Sequence, residues 1–484
     1  MRRTTLATAL LAGIALANAT SNATATCHLI ATAISDESAL FWPLSIGYAQ
    51  DNLHWATSSS ALSACSVEPG TAQDVGTILQ ILGSTQTPFA VKGGGHATNP
   101  GFSSTSGVQI AMSRFSDVTY NSAAQTVDYG TGIVWDDVYS ALEPFGVNII
   151  GGRVSGVGVG GFSLGGGYSW LTNQHGLTVD NVVAFEIVLP NGQVTEVTRQ
   201  SDADLFFSVL GGYNNFGIVT RITAKAYPQG QVWGGLRVIL DIGDNWDAFN
   251  NATVKFQAEV TDPKAQILPS FNTLVGAPVA TIIMFYDGPT PPAGIFDDFL
   301  AIPAVDSDIS TRSFLSLVQS SPIASTTRAV FNTVSLMTLS PALMKAIVNE
   351  TQFWTAKLAL ASANFISYDV EPFLTSLFTH GSIQATAYPP TRAQGLLPLN
   401  IYYAWGLELD DAFMQDAIRQ SAAHLKAVAI AEGQDIADAP VYGNYAVLGT
   451  SVEDVFGDSL PRMRVTKQRV DPNNVMALAG GWKV

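Results

Sequence analysis

The chain has 484 residues, 47% of them apolar and only 13% charged, with a formal net charge of −16. That length exceeds what one hydrophobic core usually serves, and the apolar content excludes a disordered or fibrous chain. The acidity sets it against phosphate backbones and anionic lipid, so neither nucleic acid nor a membrane is expected as a partner. At the start, Arg2 and Arg3 precede an apolar stretch from Leu6 to Ala17, too short to span a bilayer comfortably. Ala17-Asn18-Ala19 has the small-residue spacing of a cleavage site. Residues 1–19 are expected to be an export signal, with cleavage after Ala25 as the alternative, and the mature chain to be secreted. Export makes pairing of the two cysteines, Cys27 and Cys65, the simple reading, against two buried thiols. With no further cysteine, no metal site is expected. Asn22, Asn251 and Asn349 each open an N-x-[ST] sequon and become candidate glycan acceptors.

Past a polar stretch to about Pro69, residues 72–82 have helical periodicity with Thr71 as N-cap. Phe89–Lys92, Val108–Met112 and Val127–Tyr129 are expected as strands, and Trp135–Leu142 as a helix. Val183–Leu189 runs into the turn Pro190-Asn191-Gly192, with Val194–Val197 as the returning strand. Residues 72–228 thus read as a mixed α/β block. The texture changes around Pro228-Gln229-Gly230. Strand-like runs (Val279–Phe285, Leu399–Trp405) then alternate with helical ones (Trp246–Glu259, Ala412–Ala431), as in an α+β domain on an antiparallel sheet. The tail from Val441 is polar, and no element is assigned to it.

Many of the 43 glycines crowd between residues 93 and 217. Lys92-Gly93-Gly94-Gly95-His96 puts three glycines after a strand, a turn whose amide groups can converge on a phosphate. An incidental turn is the bland alternative. The run Gly151-Gly152-Arg153-Val154-Ser155-Gly156-Val157-Gly158-Val159-Gly160-Gly161 is followed by Gly165-Gly166-Gly167-Tyr168. Asp180 stands at the distance a dinucleotide fingerprint wants and is kept as a cofactor candidate. A Rossmann site is not expected, because the glycines are too many and no βαβ unit surrounds them. Close backbone tracking along a long pyrophosphate-bearing cofactor fits better. A third turn, Leu210-Gly211-Gly212-Tyr213-Asn214-Asn215-Phe216-Gly217, leads into Ile218-Val219.

Together and in this order, the three segments resemble the berberine bridge enzyme-like family of FAD-linked oxidoreductases, within the vanillyl-alcohol-oxidase superfamily. The resemblance covers about residues 60–228 and the tail from 441. It implies an α+β chain with a two-part FAD-binding domain at 20–228. An inserted substrate domain at 229–430, an antiparallel sheet flanked by helices, and a returning segment at 431–484 complete that shape. It implies FAD attached through its 8α-methyl to His96. Val154 falls where many members carry a second, cysteine link, so the attachment is expected to be single. Val157 matches the oxygen gatekeeper, and a small aliphatic residue there resembles the oxidase type. The cofactor set so implied is His96, Gly93, Gly94, Gly95, Val157, Gly158, Gly160, Gly161, Gly165, Gly166, Gly167, Tyr168, Gly217, Ile218, Val219 and Asn444.

On the substrate side, Pro398-Leu399-Asn400-Ile401-Tyr402-Tyr403-Ala404-Trp405 resembles the family's substrate-facing strand, with Asn400 and Tyr402 on one face. Tyr442-Gly443-Asn444-Tyr445 resembles the segment beside the flavin whose second Tyr accepts a proton in carbohydrate-oxidising relatives. Tyr445 is the preferred base, then Tyr402, with Tyr442 and Asn444 as supports. A Tyr with a pKa near ~10 needs a partner to act as a base. Thr98 and His175 stand where plant relatives have tyrosines, so a monolignol-type site is not expected. His175 is a candidate acid or base, with a core His as the equal alternative. The resemblance implies an FAD-dependent oxidase of a small alcohol or sugar, passing electrons to O2 and giving H2O2. A secondary-metabolite tailoring enzyme that closes a ring and a non-enzymatic secreted flavoprotein are the alternatives.

Overall fold

The structure is a computed structural model and describes residues 22–274, 276–321, 327–381 and 385–484. The expected export signal lies outside the described residues. Residues 22–33 are helical, and this helix is tied to the strand Cys65–Glu68 by the Cys27–Cys65 disulfide. Asn22, Asn251 and Asn349 are all exposed.

Three sheets carry the fold. The first has four strands in the order Ala39–Phe41, Cys65–Glu68, Val108–Ala111 and Phe89–Lys92, the last three mutually parallel. The helix Ala72–Thr85, capped by Thr71 as expected, covers it with Val75, Ile78, Leu79 and Leu82. The second has five antiparallel strands: Val118–Asn121, Thr126–Gly130, Ile218–Lys225, Val182–Val188 and Val194–Val197. The third is an antiparallel sheet of eight strands. Its centre runs Val232–Leu240, Ala277–Tyr286, Ala265–Leu274, Ala363–Asp369, Leu397–Trp405 and Arg328–Leu336.

Strand periodicity sorts the third sheet's two faces. Ile267, Phe271, Ile366, Tyr368, Ile401 and Tyr403 point to helices Asn245–Glu259, Pro341–Leu358 and Asp411–Ala431 and form one core. The alternate residues face a cavity shared with the glycine-rich loops. The expected α+β class, two smaller sheets in the first half of the chain and a helix-flanked antiparallel sheet after them, is the architecture observed. The tail is more ordered than its polarity suggests, because it folds into helices Val452–Phe456 and Leu460–Val470. It returns to the first half of the chain: Phe89 bridges Ala479, and Asn99 Nδ2 donates to Ala446 O at 2.9 Å.

Candidate active site

A cavity of about 980 Å³ lies between the glycine loops and the third sheet. Its floor is built largely by glycines, and at Gly94 and Gly158 there is no room for a side chain. A Cβ on Gly94 would lie 2.4 Å from the Cα of Gly158, and one on Gly158 would lie 2.6 Å from the Gly94 nitrogen. The loop after Phe89–Lys92 and the loop before the helix Val159–Leu164 therefore pack backbone to backbone. Gly161 lines the cavity with nothing within 4 Å of where its Cβ would sit. Gly93, Gly95, Val157, Gly160, Gly217, Ile218, Val219, Tyr168 and Asn444 line the same space. A flat void floored by bare backbone fits a long cofactor that must lie close to the chain.

His96 ends the first glycine turn and faces this cavity. Its ring stacks on Trp55, with centroids 4.4 Å apart and planes 15° apart. Burial pushes the imidazole down to about 4, so it is neutral near pH 7 and keeps a nucleophilic nitrogen. Val154 also lines the cavity, and its side chain has no atom able to form a second link.

The opposite wall presents Tyr402 and Asn400 from one strand, and Tyr442, Asn444 and Tyr445 from the tail. Tyr442 Oη accepts from the Gly167 backbone N–H (3.1 Å) and from Asn444 Nδ2 (2.8 Å). Burial raises the Tyr442 phenol to about 12, opposed by the hydrogen bond from Asn444. Tyr445 Oη donates to Glu371 Oε1 at 2.9 Å and accepts from Arg153 Nη2 at 3.1 Å. That same guanidinium pairs with Glu371 Oε2 at 2.7 Å. Burial drives the Tyr445 phenol well up, and burial also raises the Glu371 carboxyl against the pull of Arg153. Tyr402 has no hydrogen-bond partner on its hydroxyl among the described residues, and burial raises its pKa as well.

Five sequence candidates lie off the cavity wall. His175 ends a four-residue helix and stacks on Tyr227, ring centroids 3.8 Å apart, so it does not face the substrate as expected. Asp180 closes an ion pair with Arg392 at 2.6 Å and caps the Leu177 N–H; it touches no cofactor space. Gly165, Gly166 and Gly167 sit one layer back. Cβ atoms there would strike Asn444 (2.4 Å), Tyr388 (2.5 Å) and Thr178 (2.3 Å), so Gly165 makes room for the tail, Gly166 for Tyr388 and Gly167 for the short helix Thr178–Asn181. Conversely, Arg153, Glu371, Trp55 and Phe331 line the cavity and were not singled out from sequence. Arg153 carried a signal, as the lone charge inside the run 151–161. Glu371 carried almost none, since it follows the strand Ala363–Asp369 in an irregular segment.

Residues 63–198 match the FAD binding domain family, a span that includes the first two of the three glycine segments and His96. An FAD-dependent monooxygenase, drtC, of Aspergillus calidoustus is 30% identical over 453 residues, covering 89% of this chain and 84% of that protein. An uncharacterized FAD-linked oxidoreductase of Arthroderma benhamiae is 37% identical over 269 residues. That alignment takes in 55% of this chain, which thus spans only about half, 53%, of the relative's length. The structure of Physcomitrella patens BBE-like 1 superposes with a TM-score of 0.76 at 20% identity, over 93% of this chain and 97% of that one. No helix among the described residues is long and apolar enough to cross a membrane. The glycine-floored cavity, the domain match and a relative aligned along nearly the whole chain agree: the chain belongs to the FAD-linked oxidoreductases, with the fold of the berberine bridge enzyme-like proteins, and FAD is its cofactor.

Proposed function

We propose that this oxidoreductase is an oxidase that takes two hydrogens from a small alcohol or sugar-like molecule, with FAD held by a single bond to His96 and O2 as the final acceptor. The observation that carries the reading is the Arg153–Glu371–Tyr445 network, placed on the cavity that His96 also faces. When bound, FAD supplies the acceptor for the hydride. The protein's part is to take the proton. A buried Tyr is a poor base alone, but Tyr445 already donates its hydroxyl hydrogen to Glu371. As the substrate O–H gives its proton to Tyr445 Oη, the tyrosine's own proton passes to Glu371 Oε1. Arg153 holds the second carboxylate oxygen, aims Glu371 and favours its ionised form against the effect of burial. Tyr442, held by two incoming donors, orients Asn444 and the tail segment beside them. Small Val157 on the wall leaves room for O2.

A second reading is a tailoring enzyme of secondary metabolism that couples the oxidation to ring closure. The apolar wall of Leu236, Val238, Leu268, Val279 and Ile283 supports it. Secretion, a removed signal at 1–19 and glycans on Asn22, Asn251 and Asn349 belong to the proposal too, supported by the Cys27–Cys65 bridge and the exposure of all three asparagines. The test is turnover of an alcohol panel under oxygen-18 gas. An oxidase releases one H2O2 per O2 and leaves its product unlabelled. Label in the product makes the chain a monooxygenase, and a cyclised product supports the tailoring reading.

A further inference from the structure

Three charged side chains line the cavity among the described residues: Arg153, Glu371 and Asp369. The first two neutralise each other. Asp369 forms no ion pair among the described residues, although the Arg153 guanidinium acts on it from beyond ion-pair reach; Ser367 Oγ donates to its Oδ1 at 2.5 Å and the Ser270 hydroxyl also hydrogen-bonds to it. The residue is enveloped by protein yet keeps accessible surface, so that surface faces the cavity. Sheet register explains the placement. Thr281, Ser270, Asp369 and Asn400 stand directly opposite one another on four adjacent strands and make a polar row across the wall. On one side of the row come Leu236, Ile283 and Leu268, also paired across strands. On the other come Tyr402 and Phe331, whose rings meet at 5.1 Å, with Trp55 at 5.5 Å from each.

A carboxyl group here can be balanced by a proton or by a cation brought in from outside. The chain's net charge of −16 draws cations toward it. The neighbouring rings offer faces on which a cation is favourable. We propose that Asp369 is a specificity residue that receives the cationic nitrogen of a small amine with an apolar or aromatic body. This rests on the reading of the cavity as the active site of an oxidase, and it concerns the group recognised rather than the bond oxidised. An alcohol could donate its O–H to the same carboxylate but leaves the charge uncompensated. A carboxylic acid would add to it.

The test is calorimetric titration of the flavin-loaded protein with three probes of one shape: tryptamine, tryptophol and indole-3-acetate. Wild type is expected to bind tryptamine at least ten-fold more tightly than tryptophol, and indole-3-acetate more weakly than either. In Asp369→Asn, which keeps hydrogen-bonding capacity without the charge, the ratio is expected to fall to about one. Equal binding of amine and alcohol by wild type, absence of tryptamine binding, or an unchanged ratio in Asp369→Asn overturns the proposal. The wild-type ratio decides even if the variant fails to fold. Binding heat does not depend on turnover, so the preference can fail while oxidase activity stands, and the reverse.

Discussion

Removing the Arg153 guanidinium leaves Glu371 buried with no countercharge. Breaking such a pair from one side costs about 3–5 kcal/mol, so Arg153→Met is expected to melt well below wild type. Its effect on pH dependence is more specific. Glu371 accepts a proton only when ionised, so kcat/KM is full above its pKa and falls as pH drops through it. Burial already raises that pKa, and loss of Arg153 raises it further. The acid limb of kcat/KM therefore moves to higher pH in Arg153→Met, and an unmoved limb contradicts the proton path. Tyr445→Phe removes the relay hydroxyl and should lower kcat/KM by roughly 10²–10⁴-fold with flavin content unchanged. His96 and Tyr445 were legible because each sits in a short, ordered motif. Asp369 and Glu371 were not, because their importance comes from facing a cavity across strand and loop, which no local spacing encodes.

The glycine segments act as elements, by letting two loops touch through bare backbone. Gly94→Ala puts a methyl 2.4 Å from Gly158, and neither atom belongs to a flexible side chain. The loops must separate, at a cost of about 1–3 kcal/mol, and the cavity floor opens with them. Flavin per mole of protein is expected to drop, while Gly161→Ala, with open space at its Cβ, should fold normally and lose only cofactor fit. Equal flavin content in Gly94→Ala and wild type removes the packing argument. The strands and helices assigned from periodicity agree with the structure to within a few residues at their ends, whereas Val232–Leu240, Ala265–Leu274, Arg328–Leu336, Pro341–Leu358 and Ala363–Asp369 were not assigned. Leu397–Trp405 showed its two faces in sequence, with Asn400 and Tyr402 to the cavity and Ile401 and Tyr403 to the helices. The helix Leu460–Val470 was hidden by its polarity: much of it is exposed, and its buried residues are Leu460, Met463, Thr466 and Lys467.

At the scale of the whole molecule, function depends on three distant stretches meeting at one cavity. Arg153 comes from the glycine run, Glu371 from the third sheet's edge of the cavity, and Tyr445 from the returning tail. The tail is anchored by Asn215 Nδ2 donating to Trp482 O at 2.7 Å and by Trp482 Nε1 donating to Gly443 O at 3.1 Å. At the other end, the disulfide closes a separation of 38 residues beneath the first sheet. Its loss in Cys27→Ser, Cys65→Ser should cost about 2–4 kcal/mol, read as a lower melting temperature with the cavity chemistry intact. Covalent attachment of the cofactor at His96 is tested most directly by acid precipitation of the purified wild type beside His96→Ala. Such attachment gives a yellow wild-type pellet with a flavin spectrum and a colourless His96→Ala pellet, its flavin in the supernatant. Wild-type flavin released into the supernatant, or colour retained in the His96→Ala pellet, contradicts it.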